Sequence, residues 1–304
     1  INFIFFMEKI GLIIDSGADL PKEITEKNQI EVVPVKMYWP EVENLPGENI
    51  FQKMREAEKL GIKTFGKTSQ PSLQDFLLAF KKQLSIFENI IYIGLSSKLS
   101  GTFNVAVQAK NFLGKDFQKR IFLIDSLNIS TGQGLLVLKA LALIKKNKTV
   151  NEIISEIKNN VNLTKTICLI VEPKWLEASG RISPFIANWI KRSAKIGIKP
   201  VIKIKNGLLK PAGAVFGVKE ASESIFKIFE KETKELFHSG KKIKFAITHG
   251  DNEKEALRLK ELIEKKSENA EMGFLNIINT VVGIVAGPDV LTLGWLEEQE
   301  RKFS

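Results

Sequence analysis

The sequence predicts an α/β protein of two units: an N-terminal α/β domain with a largely parallel sheet (residues 8–163) and a C-terminal α+β domain (residues 164–304). The stretch Asn89–Ala106 points to the first. Ile90, Ile91, Tyr92, Ile93 and Leu95 form an apolar, β-branched run of strand length, as a strand buried on both faces requires. Hydroxyls at Ser96, Ser97, Ser100 and Thr102 around Gly101 stop that run, and Phe103, Val107 and Phe112 follow at helical spacing. Two further apolar strands, Ile10–Ile14 and Arg120–Ile124, stop at Asp15-Ser16 and Asp125-Ser126, which sets polar ends at one sheet edge. Asn206-Gly207 lies between the apolar runs Val201–Ile204 and Leu208–Val215, a hairpin signal that brings antiparallel pairing into the second unit.

The remaining elements follow in order. Pro21 opens a helix after the first strand. A strand over Glu31–Met37 precedes an irregular region with Pro40, Pro46 and Gly47, then a helix over Ile50–Leu60, a loop over Gly61–Ser72 and a helix through Phe76, Phe80 and Leu84. Helices over Gly134–Lys145 and Val150–Val161 complete the first unit. From about Leu163, strands at Thr166–Val171, Gly197–Lys205, Lys244–Thr248 and Val281–Val285 alternate with helices at Pro184–Ser193, Val218–Phe237 and Lys254–Lys266.

A chain of 304 residues with 44% hydrophobic and 26% charged residues can bury a sizeable core. Its single cysteine, Cys168, allows no internal disulfide framework and fits a reducing, cytoplasmic setting. That cysteine sits in an apolar run and reads as a buried, inert thiol. The net charge of +10 is interleaved with Glu, which weakens a nucleic-acid reading; the least interrupted basic stretch is Trp189–Lys205. The leading INFIFF is too short for a signal peptide, and Met7 is the expected start. Phe274–Leu296 is apolar but contains Asn276, Asn279, Pro288 and Asp289, and reads as strand, turn and helix rather than as a membrane span.

Gly61-Ile62-Lys63-Thr64-Phe65-Gly66-Lys67-Thr68 matches the nucleotide loop GxxxxGK[ST], and Ile121–Asp125 resembles its partner strand. A nucleotide loop must follow a strand and run directly into a helix. This one follows a helical segment, and Pro71 delays the next helix. A nucleophile elbow GxSxG is absent, since Gly94-Leu95-Ser96-Ser97-Lys98 lacks its last Gly. The only histidines are His238 and His249, and no cluster has metal-ligand spacing. The hydroxyl cluster admits two readings: ordinary helix capping, or an anion site at the carboxyl end of a strand. Gly180-Arg181-Ile182-Ser183-Pro184 opens a helix with Ser183 as N-cap. That helix carries Phe185, Ile186, Trp189 and Ile190 on one side and Lys191, Arg192 and Lys195 at its end. It is either an ordinary core-facing helix or one that meets an anionic membrane.

Taken together, DSGADLP, KTSQPS, SSKLSGT, the IDS turn, GRIS, IKP and the late GP turn occur in the order of the DegV family, which the chain resembles from Met7 onward. The resemblance implies an N-terminal α/β/α domain, a C-terminal α+β domain and a long-chain fatty acid buried between them. It implies no cofactor. In many bacteria such proteins are the binding subunit of fatty acid kinase, so the kinase catalytic subunit is the implied protein partner. The family's carboxylate-holding hydroxyls fall on Thr68 and Ser97, with Ser69 and Gly101 beside them, and its head-group arginine on Arg181. Thr102 and Ser126 complete the expected ligand-binding set. Val285 stands where many members have a His before the GP turn, and Phe216 lies in the segment where many carry arginines.

The expected function is therefore non-catalytic: an apolar tunnel holds the acyl chain, Ser and Thr hydroxyls hold the carboxylate, and the acid is carried or presented for lipid metabolism, with transient contact to an anionic membrane surface and none to nucleic acid. Each buried methylene contributes about 0.8 kcal/mol, so a long chain supplies roughly 10 kcal/mol before ordering costs. The alternatives are a phosphotransferase or hydrolase using the hydroxyl cluster, and a nucleic-acid-binding regulator using the basic charge.

Overall fold

The computed structural model describes residues 9–195, 199–215, 217–218 and 220–298. INFIFF, Met7, Gly197 and Phe216 lie outside the described residues. The first half runs β1 (Ile10–Asp15), α1 (Lys22–Lys27), β2 (Glu31–Val33), β3 (Lys36–Tyr38), α2 (Pro40–Glu43), α3 (Ile50–Lys59), β4 (Lys67–Ser69), α4 (Leu73–Leu84), β5 (Asn89–Gly94), α5 (Thr102–Phe112), α6 (Lys115–Gln118), β6 (Ile121–Asp125), α7 (Thr131–Lys145) and α8 (Val150–Val161). The second half runs β7 (Lys165–Leu169), α9 (Pro173–Ala178), α10 (Pro184–Lys195), β8 (Lys199–Lys205), β9 (Leu208–Val215), α11 (Ala221–His238), β10 (Lys242–His249), α12 (Glu253–Lys266), β11 (Ala270–Ile277), α13 (Thr280–Ala286) and β12 (Leu291–Glu298).

Four strands form an all-parallel sheet in the order β2-β1-β5-β6. Strand alternation splits their side chains between two cores. Ile13, Ile90 and Tyr92 face Phe76 and Phe80 of α4 and Ala106 of α5, while Leu12, Ile14, Ile91 and Ile93 face Leu136 of α7 and Ile153 and Ile157 of α8. Helices on both faces explain why these strands are apolar throughout. The second sheet has the order β11-β10-β12-β7-β8-β9, with β10 and β11 parallel and every other neighbouring pair antiparallel, including the expected β8–β9 hairpin. Its outer face packs Phe245, Ile247 and Trp295 against Phe229 of α11 and Leu259 of α12.

Helix α7 joins the two sheets. Leu136 and Val137 pack in the core beneath the parallel sheet, and Leu135 packs on Ala246, Phe274 and Leu296 of the other. Glycines allow the close approach: a Cβ on Gly132 would lie 2.2 Å from Thr166 Oγ1, and one on Gly134 would lie 2.6 Å from Phe274 Cζ.

Three elements depart from expectation. The strand expected over Glu31–Met37 is two strands, because Pro34 has no N–H to donate; β2 stays in the parallel sheet, and β3 turns away to pair antiparallel with β4. The loop expected over Gly61–Ser72 therefore contains a short strand. The strand expected at Val281–Val285 is the helix α13, so Phe274–Leu296 reads strand, helix, turn and strand. The β-branched run suggested a strand, but the Asn279 side chain accepts the N–H groups of Val281 and Val282 and starts a helix there. Among the described residues, no helix is long and apolar enough to cross a membrane.

Candidate functional site

A cavity opens between the carboxyl edge of the parallel sheet, represented by Gly17, Leu95 and Ser130, and the inner face of the second sheet, represented by Cys168, Ile202 and Thr292. Helix α13 closes one wall with Val281, Val282 and Val285. The space open to the centre of a water molecule is about 110 Å³. A single water needs about 10–15 Å³ on that measure, so the cavity accommodates a chain of atoms. Its walls are mostly aliphatic.

One polar group lacks the partner that its chemistry demands. Arg181, just after α9, is half-buried and faces the cavity. Its Nη2 donates to Thr68 Oγ1 at 2.6 Å and its Nε to the Leu99 carbonyl at 3.4 Å. Both acceptors are neutral, and among the described residues Arg181 forms no ion pair. Burial pulls its guanidinium below the usual arginine range, with no carboxylate nearby to oppose it. A cation taken from water without a counter-charge is costly, so the arrangement is complementary to an anion entering the cavity.

The expected ligand-binding residues separate into two groups. Thr68 and Arg181 meet at the cavity. Ser69, Ser97, Gly101, Thr102 and Ser126 are not among the residues that line it. Ser69 is exposed on β4. Ser97 lies between strand and helix, where its N–H contacts both carboxylate oxygens of Asp125 at 3.3 Å. Gly101 is the N-cap of α5, with no side-chain cap bond. The Gln70 side-chain amide of the KTSQPS loop lies over Gly101, where a Cβ would fall 1.9 Å from its Oε1. The Thr102 hydroxyl is 2.8 Å from that of Ser100, which lines the cavity. Ser126 is fully buried and donates to the Asn128 carbonyl at 3.1 Å. Ser130, Thr166, Cys168 and Thr292 also line the cavity. The spacing of Thr166 and Cys168 on one strand face was their only sequence signal.

Two buried carboxylates brace the cavity from behind. Asp15, at the end of β1, accepts from Gly17 N (2.9 Å), Leu95 N (2.8 Å) and Tyr92 Oη (2.7 Å). Burial raises its pKa despite those bonds. Asp19, in the left-handed conformation at φ 50°, accepts from Asn279 N at 2.9 Å and from the Asn279 side chain. Burial pushes its pKa up to about 7. Through Asn279 it holds the start of α13, and with it the valines of the cavity wall.

The other sequence motifs take structural roles. Lys67 and Thr68 sit on β4 rather than at a helix start, and the loop before them follows α3. This is not the strand–loop–helix geometry that cradles phosphates. Calorimetry with Mg-ATP should show no binding that Lys67→Ala abolishes. His249 Nδ1 accepts from Asn252 N at 3.1 Å, and burial lowers its pKa. Burial pushes the Cys168 thiol up to about 12, which leaves it protonated and unreactive. No group of metal-ligating side chains occurs among the described residues.

The comparisons agree over nearly the whole chain. A Thermotoga maritima protein named fatty acid-binding protein is 28% identical over 307 residues, covering 97% of this chain and 99% of its own length. A solved structure described as fatty acid binding of a DegV family protein from Thermus thermophilus matches with a TM-score of 0.81 at 24% identity, covering 95% of this chain and 100% of that one. A stearic-acid-binding protein from Eubacterium ventriosum matches with a TM-score of 0.81 at 20% identity, covering 94% and 98%. At these identities the two structures establish the fold. The family model described as "Uncharacterised protein, DegV family" matches residues 9–298, and the chain therefore belongs to the DegV family.

Proposed function

We propose that this protein binds a long-chain fatty acid, with the carboxylate on Arg181 and Thr68 and the acyl chain in the aliphatic cavity between the units 8–163 and 164–304. The observation that carries this reading is the half-buried guanidinium of Arg181, which faces an apolar cavity without a carboxylate of its own. A fatty acid supplies both missing parts: an anion for the arginine and methylenes for the walls. The tail provides most of the affinity at about 0.8 kcal/mol per buried methylene, and the head-group residues prevent an unpaired charge at its end. Ser97 and Thr102 serve this site by holding the loop that carries Leu99 and Ser100, the one through Asp125 and the other through the Ser100 hydroxyl.

The protein's role is then carriage or presentation of the acid for lipid metabolism, with a fatty acid kinase subunit as recipient. Val281, Val282 and Val285 form the α13 wall of the cavity, so this wall offers no titratable side chain for chemistry on the ligand. Helix α10 packs Ile186 and Ile190 into the core and pairs Lys191 with Glu177, which leaves Phe185, 73% exposed at its start, and Arg192 at its end for a transient meeting with anionic membrane. Purified protein extracted with organic solvent should release a fatty acid in near-stoichiometric amount by mass spectrometry. An empty extract, together with no binding of added palmitate or oleate and no rise in melting temperature, would overturn the proposal.

A further inference from the structure

The inner face of the second sheet sets a short polar row into the cavity wall. In the strand register Thr292 of β12 stands opposite Thr248 of β10 on one side and Cys168 of β7 on the other. Side chains paired in this way share a face and lie about 5 Å apart. The neighbours are satisfied within the protein. Thr248 pairs with the Ser130 hydroxyl at 2.9 Å, and Thr166, two residues before Cys168, donates to Asn128 Oδ1 at 3.0 Å.

Thr292 differs. It is 5% exposed and lines the cavity, yet among the described residues its hydroxyl has no hydrogen-bond partner. It is also not one of the unpaired atoms sealed off completely, such as Asp19 Oδ2 or Thr131 Oγ1, so the hydroxyl meets the cavity. A buried hydroxyl without a partner is unfavourable, and valine has nearly the same shape without that cost. Methylenes of a plain acyl chain cannot satisfy it.

We propose that Thr292, with the thiol of Cys168 beside it, forms a second polar subsite for an oxygen carried along the acyl chain, so that the ligand class is a hydroxylated long-chain fatty acid. The inference rests on the fatty-acid reading and refines it. A threonine hydroxyl both donates and accepts, and so does a secondary alcohol, which allows the two to pair in either direction. Arg181 takes the carboxylate on the wall formed by Thr68 and Leu99, while Thr292 belongs to the sheet floor, and the two make no bond to one another. The spacing between them selects where along the chain the hydroxyl must lie.

The test is a titration of the delipidated full chain with stearic acid and with its monohydroxy derivatives bearing the hydroxyl at successive carbons. At least one positional isomer should bind about tenfold more tightly than stearic acid, the factor that one buried hydrogen bond supplies. Thr292→Val should erase that preference while still binding stearic acid. Thr292→Ser, which keeps the hydroxyl, should retain it and guards against a variant that merely misfolds. Tight stearic acid binding with no isomer preferred, or a preference that survives in Thr292→Val, would overturn the subsite and leave the fatty-acid reading intact. Failure to bind any of these acids would overturn both.

Discussion

Replacing Asp19 by Asn should remove a pH dependence of stability worth about 4 kcal/mol, the equivalent of a shift from near 3.8 to about 7. The cause is burial: the side chain is 4% exposed, and its Oδ2 is enclosed without a partner. The Ser130 hydroxyl and the hydrogen bonds from Asn279 favour the ionised form but do not offset desolvation, and the charge of Asp15 adds to it. The sign follows from linkage. Between about pH 4 and pH 7 the folded protein keeps a proton that the unfolded chain has released, so stability falls as pH rises through that window. Below it both states are protonated, and above it the full penalty is present. Asparagine imitates the protonated acid and does not titrate. Urea unfolding of wild type and Asp19→Asn should thus agree near pH 4 and diverge in favour of the variant by pH 8. A difference that stays flat, or that favours wild type at high pH, would show that Asp19 ionises without penalty. Because Asn279 starts the helix whose valines line the cavity, ligand affinity should follow the same window.

The parallel sheet was legible because its signals are local. Strand-length apolar runs such as Ile90–Leu95, and Asp-Ser stops at Asp15 and Asp125, encode buried strands and their polar ends within a few residues. The hairpin at Asn206-Gly207 was equally local. Helix α13 was not, since Val281, Val282 and Val285 favour strand on their own, and the cap by Asn279 and the packing of Gly283 against Phe51 decide otherwise. The same division runs through the site. Thr68 and Arg181 stand out through their motifs, but that one pairs with the other across 113 positions is a tertiary fact. Cys168 and Thr292 sit in strands where threonine and cysteine are ordinary, and only the sheet register brings them side by side at the cavity.

Arg181→Met should have opposite effects on binding and on stability. In the ligand-free protein the guanidinium is half-buried against two neutral acceptors, so its removal relieves a desolvation cost and the variant should be at least as stable as wild type. Thr68 loses one donor but keeps access to solvent and cavity. For a bound fatty acid the balance reverses, because the carboxylate then lies against the wall with no counter-charge. Truncating one partner of a hydrogen-bonded charge pair costs about 2–5 kcal/mol, and the partial exposure of Arg181 places the expectation at about 2 kcal/mol, near a thirtyfold loss of affinity. A fatty alcohol of the same length should lose much less, since its neutral head group does not depend on a cation. Thr68→Val should weaken the acid by about 1 kcal/mol, and the double variant should fall short of the sum, because both residues act on one carboxylate and on each other. Titration of acid and alcohol against the four proteins, beside their melting temperatures, separates the two effects. Equal losses for acid and alcohol would mean that Arg181 shapes the cavity rather than meeting the charge, and an unchanged acid affinity would put the carboxylate at another part of the wall.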